Sequence, residues 1–128
     1  MVPADLRYTK DHEWVRIDGD QATVGITEYA AEQLGDIVFV ELPEVGRTLA
    51  QFATFGVVES VKAVSDLFAP VSGEVVEVNA ELPKKPELVN TDPYGQGWML
   101  VIKMSNAKDV DGLMSAADYE KLTAGGGH

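Results

Sequence analysis

The stretch "GVVESVKAVSDLFAPVSGEVVEV", residues 56–78, decides how this chain is read. It consists largely of strand-forming residues, yet Lys62 stands in its middle between Val61 and Ala63. One strand over residues 55–71 would be 17 residues long, against a usual ~5–6. Alternation would place Val58, Ser60, Lys62 and Val64 on one face. A lysine on a half-apolar face must snorkel, pair or lose its charge. A chain reversal removes both difficulties. With Val61 and Lys62 at the turn centre, Ser60 faces Ala63, Val58 faces Ser65 and Phe55 faces Phe68. Lys62 then projects from a hairpin tip. The turn chemistry is thin, since neither Asn-Gly nor Gly-X is present, although a type I turn accepts most residues. By position alone, such a lysine is an ordinary solvated tip residue. The apolar Val61 beside it has no folding benefit, which points to a tip that a partner reads.

Outward from this hairpin, short β-type runs dominate. "EWVRI" and "QATVGI" flank a turn at 18–20. "TEYAAEQLG" reads as a short helix capped by Thr27 and ended by Gly35. "DIVFVEL" is a strand stopped by Pro43, and "EVGRTL" turns at Gly46. Gly73 makes a turn before "EVVEV"; a helical turn is expected near 86–89, a loop at "DPYGQG" and a strand at "WMLVIKM". "SAADYEKL" opens a helix, with Ser115 and Asp118 spaced as a capping box. "GDIVFV" at 35–40 is echoed by "GEVVEV" at 73–78. Two amphipathic strands can look alike by chance; the alternative is two halves of a quasi-symmetric β-structure. Many short strands with close turns favour a sandwich or barrel with peripheral helices.

Composition narrows the function classes. The chain has 128 residues, 45% apolar, which suits one folded domain. Its net charge of −11 argues against nucleic acid and against an anionic membrane surface. With no cysteine, disulfides, thiol nucleophiles and thiolate metal sites are excluded. No triad and no metal-spaced His/acid cluster is visible. His12 beside Trp14, and Tyr94 and Trp98, read as packing and loop anchors. The N-terminus lacks a secretory h-region and an Arg/Ser-rich leader, and no apolar run nears the ~20 residues of a membrane span. A bacterial cytoplasm is the expected location, ahead of a mature mitochondrial chain. Residues 124–128 read as a flexible tail.

The spacing around Lys62 resembles lipoyl domains: Glu59 three residues before the lysine, Ala63 after it, then Ala69-Pro70 and Gly73. Biotinyl domains flank their lysine with methionines, unlike Val61 and Ala63 here. "ESVKAVSDLFAPVSGEVVEVN", "YTKDHEWV", "VGITEYAAEQLGDIVFVELPEVG" and "PELVNTDPYGQGWM" together resemble the glycine cleavage system H protein family, over roughly residues 7–120. One departure stands out. Family members commonly place a Lys-Gly-acid turn where this chain has Gln51, Phe52 and Ala53. Without the glycine a positive-φ turn is costly, and Phe52 becomes a candidate exposed apolar spot.

The resemblance implies a mainly β, lipoyl-domain-like barrel-sandwich hybrid of two quasi-symmetric sheets with short peripheral and C-terminal helices, residues 1–128 forming one carrier domain. It implies lipoate in amide linkage on Lys62, with Glu59, Val61 and Ala63 recognised at the tip. It implies no catalysis by the chain itself: an aminomethyl group passes from glycine decarboxylase (P protein) to the arm and on to the aminomethyltransferase (T protein), and dihydrolipoyl dehydrogenase (L protein) reoxidises the arm. A lipoate ligase or an octanoyl/lipoyl transferase would modify the lysine. Glu13 and Asp66 match family positions suited to holding the cationic loaded arm, with Asp11 nearby in sequence. Two other readings stand beside this one: an H-like relay donating lipoyl groups to 2-oxoacid dehydrogenase complexes, and a β interaction module whose lysine is unmodified.

Overall fold

The computed structural model describes residues 2–126. Its elements run β1 (Arg7–Tyr8), β2 (Glu13–Asp18), β3 (Gln21–Ile26), α1 (Glu28–Leu34), β4 (Ile37–Glu41), β5 (Thr48–Leu49), β6 (Thr54–Ser60), β7 (Val64–Phe68), β8 (Gly73–Val78), α2 (Leu88–Thr91), β9 (Leu100–Met104), a 3-10 helix (Ala107–Gly112) and α3 (Ala116–Gly126). Among the described residues the strands form two antiparallel sheets, in the orders β1-β2-β3-β9-β8-β5 and β4-β6-β7. The fold is mainly β and is not a closed barrel. Of the expected tail at 124–128, residues 127 and 128 lie outside the described residues.

Local signals account for most elements. Alternation sorts β7 into an exposed Val64 and Asp66 and a buried Leu67. Thr27 caps α1 by accepting from the Ala30 N–H at 3.1 Å, and Gly35 ends it at φ 85. Ser115 accepts from the Asp118 N–H at 3.2 Å at the start of α3. Two elements had no clear sequence signal: the two-residue β1 and the 3-10 helix. Gly73 is not a turn residue. The chain bends just before it, and Gly73 is the first residue of β8.

Valines, leucines and isoleucines from both sheets, with Phe55 and Met99, meet in one core. A smaller cluster of Leu6, Tyr8, Trp14, Ala116 and Tyr119 seats α3. Trp14 is fully buried and donates from Nε1 to the Pro93 carbonyl at 2.9 Å, and Tyr94 accepts from the Glu28 N–H at 3.1 Å. Both rings are anchors, a role that the sequence led us to expect of Tyr94.

The echoed strands occupy matching places. β4 pairs with β6 through Ile37↔Ser60, Phe39↔Glu59 and Val40↔Val58, skipping Val38. β8 pairs with β9 through Val75↔Ile102, Glu77↔Val101 and Val78↔Leu100, skipping Val76. The bulge thus falls at the fourth residue of each echo. The third strands correspond too: β7 pairs Val64 with Glu59 and Ser65 with Val58, while β3 pairs Thr23 with Val101 and Val24 with Leu100. A bulge is a structural feature rather than a chance of composition. Its recurrence in register favours two related halves, β4-β6-β7 and β8-β9-β3, over coincidence.

Candidate functional site

Ser60 and Ala63 close the β6–β7 hairpin, the Ser60 N–H donating to the Ala63 carbonyl at 2.8 Å. Ser60 Oγ also accepts from the Lys62 N–H at 3.2 Å and the Ala63 N–H at 3.0 Å. This hydroxyl supplies the turn chemistry that Asn-Gly would otherwise provide. The Val61 N–H donates to the Asp36 carbonyl at 3.0 Å, tying the tip to the entrance of β4. Asn90 braces that entrance, accepting from Ile37 N–H and donating to the Gly35 carbonyl, both at 2.9 Å. The expected Val58–Ser65 facing pair is present. Phe55 does not face Phe68: a register shift between Thr54 and Gly56 sets Thr54 opposite Phe68 and turns Phe55 into the core.

Lys62 is exposed at this tip, flanked by an exposed Val61 and Ala63. Its stem passes Gly35, where an added Cβ would lie 3.5 Å from Lys62 Cε. Glu59 is half-buried in the row Phe39–Glu59–Val64 that crosses the sheet. Phe39 and Val64 are 45% and 67% exposed, so this acid sits between two solvent-facing apolar side chains.

The acidic residues separate into two settings. Asp66 is exposed on β7, sharing an outward face with Val64 and Phe68. Glu13 is 2% exposed on β2. Its carboxylate accepts from the Thr9 hydroxyl at 2.6 Å and from the Phe68 N–H at 3.2 Å. Burial pushes its pKa up to about 7 despite those two hydrogen bonds, and the neighbouring Asp11 adds a smaller push in the same direction. Glu13 and Asp11 are therefore electrostatic neighbours, and the Phe68 N–H joins Glu13 to the end of the face that carries Asp66. Thr9 and the Phe68 amide had no sequence signal, since the first supports Glu13 across a turn and the second across 55 residues.

Lys10, Asp11, Thr9, Phe52, Phe68 and Leu113 help to line a cleft of about 620 Å³ with a largely apolar wall. Of the described residues, only His12 (φ 70) and Phe52 (φ 68) are non-glycines with positive φ. Such a backbone costs of order 1–3 kcal/mol. His12 belongs to the turn that presents Lys10 and Asp11. Its ring faces away from chemistry: Nδ1 shares a 2.8 Å hydrogen bond with Tyr119 OH, which lies 2.7 Å from Thr27 Oγ1. Burial lowers the His12 pKa, against a smaller opposing push from Asp11.

A two-sheet β fold with an exposed lysine on a braced hairpin tip, one strand away from a cleft that Asp11 helps to line, has the form of a carrier domain. The chain belongs to the glycine cleavage H-protein family, whose model matches residues 6–125. It is 59% identical over 125 residues to the glycine cleavage system H protein of Symbiobacterium thermophilum, covering 98% of each chain. It is 57% identical over 122 residues to that of Carboxydothermus hydrogenoformans, covering 95% of this chain and 94% of the relative. A crystal structure of a glycine cleavage system H protein from Mycobacterium marinum superposes with a TM-score of 0.89 at 45% identity, covering 96% of this chain and 99% of that one. Members of this family carry lipoate in the glycine cleavage system.

Proposed function

We propose that this chain carries its lipoate in amide linkage on Lys62 and presents it in turn to the P, T and L proteins. The observation that carries this reading is the exposed Lys62 on a tip held from two sides, by Ser60 and by Asp36. The site fits the group. A lysyl amine in open solvent is accessible to a lipoate ligase or an octanoyl/lipoyl transferase, and acylation removes its charge. When bound, the lipoyl group supplies the sulfur chemistry that a chain without cysteine lacks.

The chain's own residues do the positioning. Ser60 fixes the tip, so a flexible arm starts from a rigid base and visits partner sites at raised effective concentration. Val61, Ala63 and Glu59 form the surface that a modifying enzyme would read. Asp11 and Asp66 supply negative charge for a cationic cargo, and Glu13, whose pKa burial raises to about 7, gains charge when a cation approaches. The chain acts as a non-catalytic component, residues 1–128 form one carrier domain, and a bacterial cytoplasm is the proposed location. Among the described residues no helix is long and apolar enough to cross a membrane, and no cluster of His, Asp and Glu could hold a metal.

Intact-mass measurement after co-expression with a lipoate ligase tests the attachment. A lipoyl mass increment that disappears in Lys62→Arg is expected; one that persists would overturn the assignment. Glycine–bicarbonate exchange with P protein tests the carrier role, and an unchanged rate of aminomethyl release from Glu13→Ala would remove Glu13 from the arm pocket.

A further inference from the structure

Every backbone amide of the Lys62 tip has a partner, and the partners come from two places. Ser60 Oγ holds the Lys62 and Ala63 N–H groups from within the hairpin. The Val61 N–H is held from outside, by the Asp36 carbonyl at 3.0 Å. Asp36 lies in the link between α1 and β4 and belongs to neither. The outer hold on the tip is therefore only as firm as this link.

No strand secures Asp36. In the twin half the matching residue of the echo, Glu74, pairs with Thr48 of β5 and with Lys103 of β9. At Asp36 one side chain takes that place. Asn90 Oδ1 accepts from the Ile37 N–H and Nδ2 donates to the Gly35 carbonyl, both at 2.9 Å, one bond on each side of Asp36. A carboxamide carries the required acceptor and donor on one carbon. Gly35 needs holding, since φ 85 with ψ −160 is a backbone region that is essentially confined to glycine. The lysyl stem crosses the same residue, where an added Cβ would stand 3.5 Å from Lys62 Cε. Asn90 is itself well seated. It lies on α2 beside the fully buried Val89, and Trp14 donates to the Pro93 carbonyl three residues further on.

We propose that Asn90 is a positioning residue for the acylation of Lys62. By spanning Asp36 it fixes the carbonyl that holds the Val61 N–H, so that Val61 and the lysyl stem meet a modifying enzyme in one arrangement. It acts through Asp36 and Val61 and does not touch the reacting amine. The proposal rests on the reading of Lys62 as the attachment point.

The test compares unlipoylated wild type, Asn90→Ala, Asn90→Asp and Leu82→Ala as substrates of a lipoate ligase supplied with lipoyl adenylate, followed by intact mass. In that step the Lys62 amine attacks the lipoyl carbonyl; the amide bond forms, AMP leaves and the amine gives up a proton. Asn90→Ala should raise KM for the protein roughly three- to tenfold, the scale of one net hydrogen bond, with kcat within about twofold, since only the approach to the tip is altered. Amide exchange followed by NMR should quicken by a similar factor at Val61 and stay unchanged at Lys62 and Ala63, which Ser60 still holds. Asn90→Asp keeps an acceptor for Ile37 and loses the donor to Gly35. Its KM should rise as well, and it replaces the alanine variant should that one not fold. Leu82 is a fully buried core residue. Leu82→Ala should lower Tm at least as much as Asn90→Ala and leave KM unchanged. An unchanged KM or an unchanged Val61 exchange rate in a folded Asn90 variant would overturn the proposal, as would an equal rise in KM for Leu82→Ala. A wild type that gains no lipoyl mass would instead overturn the assignment of Lys62, while Val61 exchange still reports the brace.

Discussion

The halves β4-β6-β7 and β8-β9-β3 share one strand geometry and differ in how the chain joins them. In the first, Ser60 and Val64 are linked by a three-residue tip that carries Lys62. In the second, the matching strands β9 and β3 lie far apart in sequence and enter and leave through other elements. The outward faces differ as well. Where the lysine half has the row Phe39–Glu59–Val64, its twin has Glu77–Val101–Thr23. Phe39 and Val64 are exposed apolar groups, whereas Glu77 is an exposed acid and Thr23 a half-buried hydroxyl. The same backbone accepts polar residues at these places, so the apolar ones answer to something other than folding. The proposed attachment site belongs to a connection, and the fold supplies only its rigid base.

The comparison breaks most sharply at the lysines. Val61 in the tip corresponds to Lys103 in the twin half, next to Met104 at the position of Lys62. Lys103 is held in a strand paired on both sides, with Gln21 and Glu74. Lys62→Arg should abolish lipoylation completely and Lys103→Arg should leave it unchanged, read by intact mass. Label on Lys103 would show that accessibility, not the tip, selects the lysine.

The glycines that open the two echoes give the next largest effect. A Cβ on Gly73 would stand 2.0 Å from the Lys103 carbonyl oxygen, at φ 153. Gly35 has φ 85 and ψ −160, with only the lysyl stem near. Gly73→Ala should cost about 4 kcal/mol or more, a backbone clash with no room to relax. Gly35→Ala should cost about 1–3 kcal/mol, from the backbone region alone. Urea denaturation of both variants would measure this; equal losses would contradict the structural difference between the halves.

A charge buried beneath the lysine half comes third. Folding raises the pKa of Glu13 from 4.5 to about 7. The protonated acid therefore contributes stability that is fully present below pH 4.5 and lost as pH rises through about 7. The span is roughly 2–4 kcal/mol. Glu13→Gln should flatten stability between these limits and melt above the wild type at pH 8, as followed by thermal unfolding across pH. A slope that survives the substitution would assign the titration elsewhere.

The smallest effect on stability tests the faces. Phe39→Glu with Val64→Thr gives the lysine half the exposed residues of its twin. Surface changes of this kind stay within about 0.5 kcal/mol each. Stability should hold while the rate of enzymatic lipoylation falls several-fold; an unchanged rate would mean that the apolar row is not read.

Much of the fold was legible because its causes are local. Thr27 and Gly35 bound α1, the 18–20 turn joins β2 to β3, and strand length alone demanded a reversal at Lys62. The bulge that moved Phe55 into the core was not legible, because it depends on the partner strand rather than on β6 itself. The same holds for the site. Lys62, Glu59 and Glu13 could be named from spacing and resemblance, but the environment of Glu13 could not. Its burial, the Thr9 hydroxyl and the Phe68 amide come from three separate segments.

By itself, then, the sequence determined the family, most of the element order and the lysine at a turn, since propensity, capping and turn length act over a few residues. Tertiary structure alone decided that the two echoes are registered twins, that a cleft lies at the end of β7 away from Lys62, and that burial raises the Glu13 pKa to about 7. Register, enclosure and desolvation are set by what packs across the chain, and no local stretch of residues contains them.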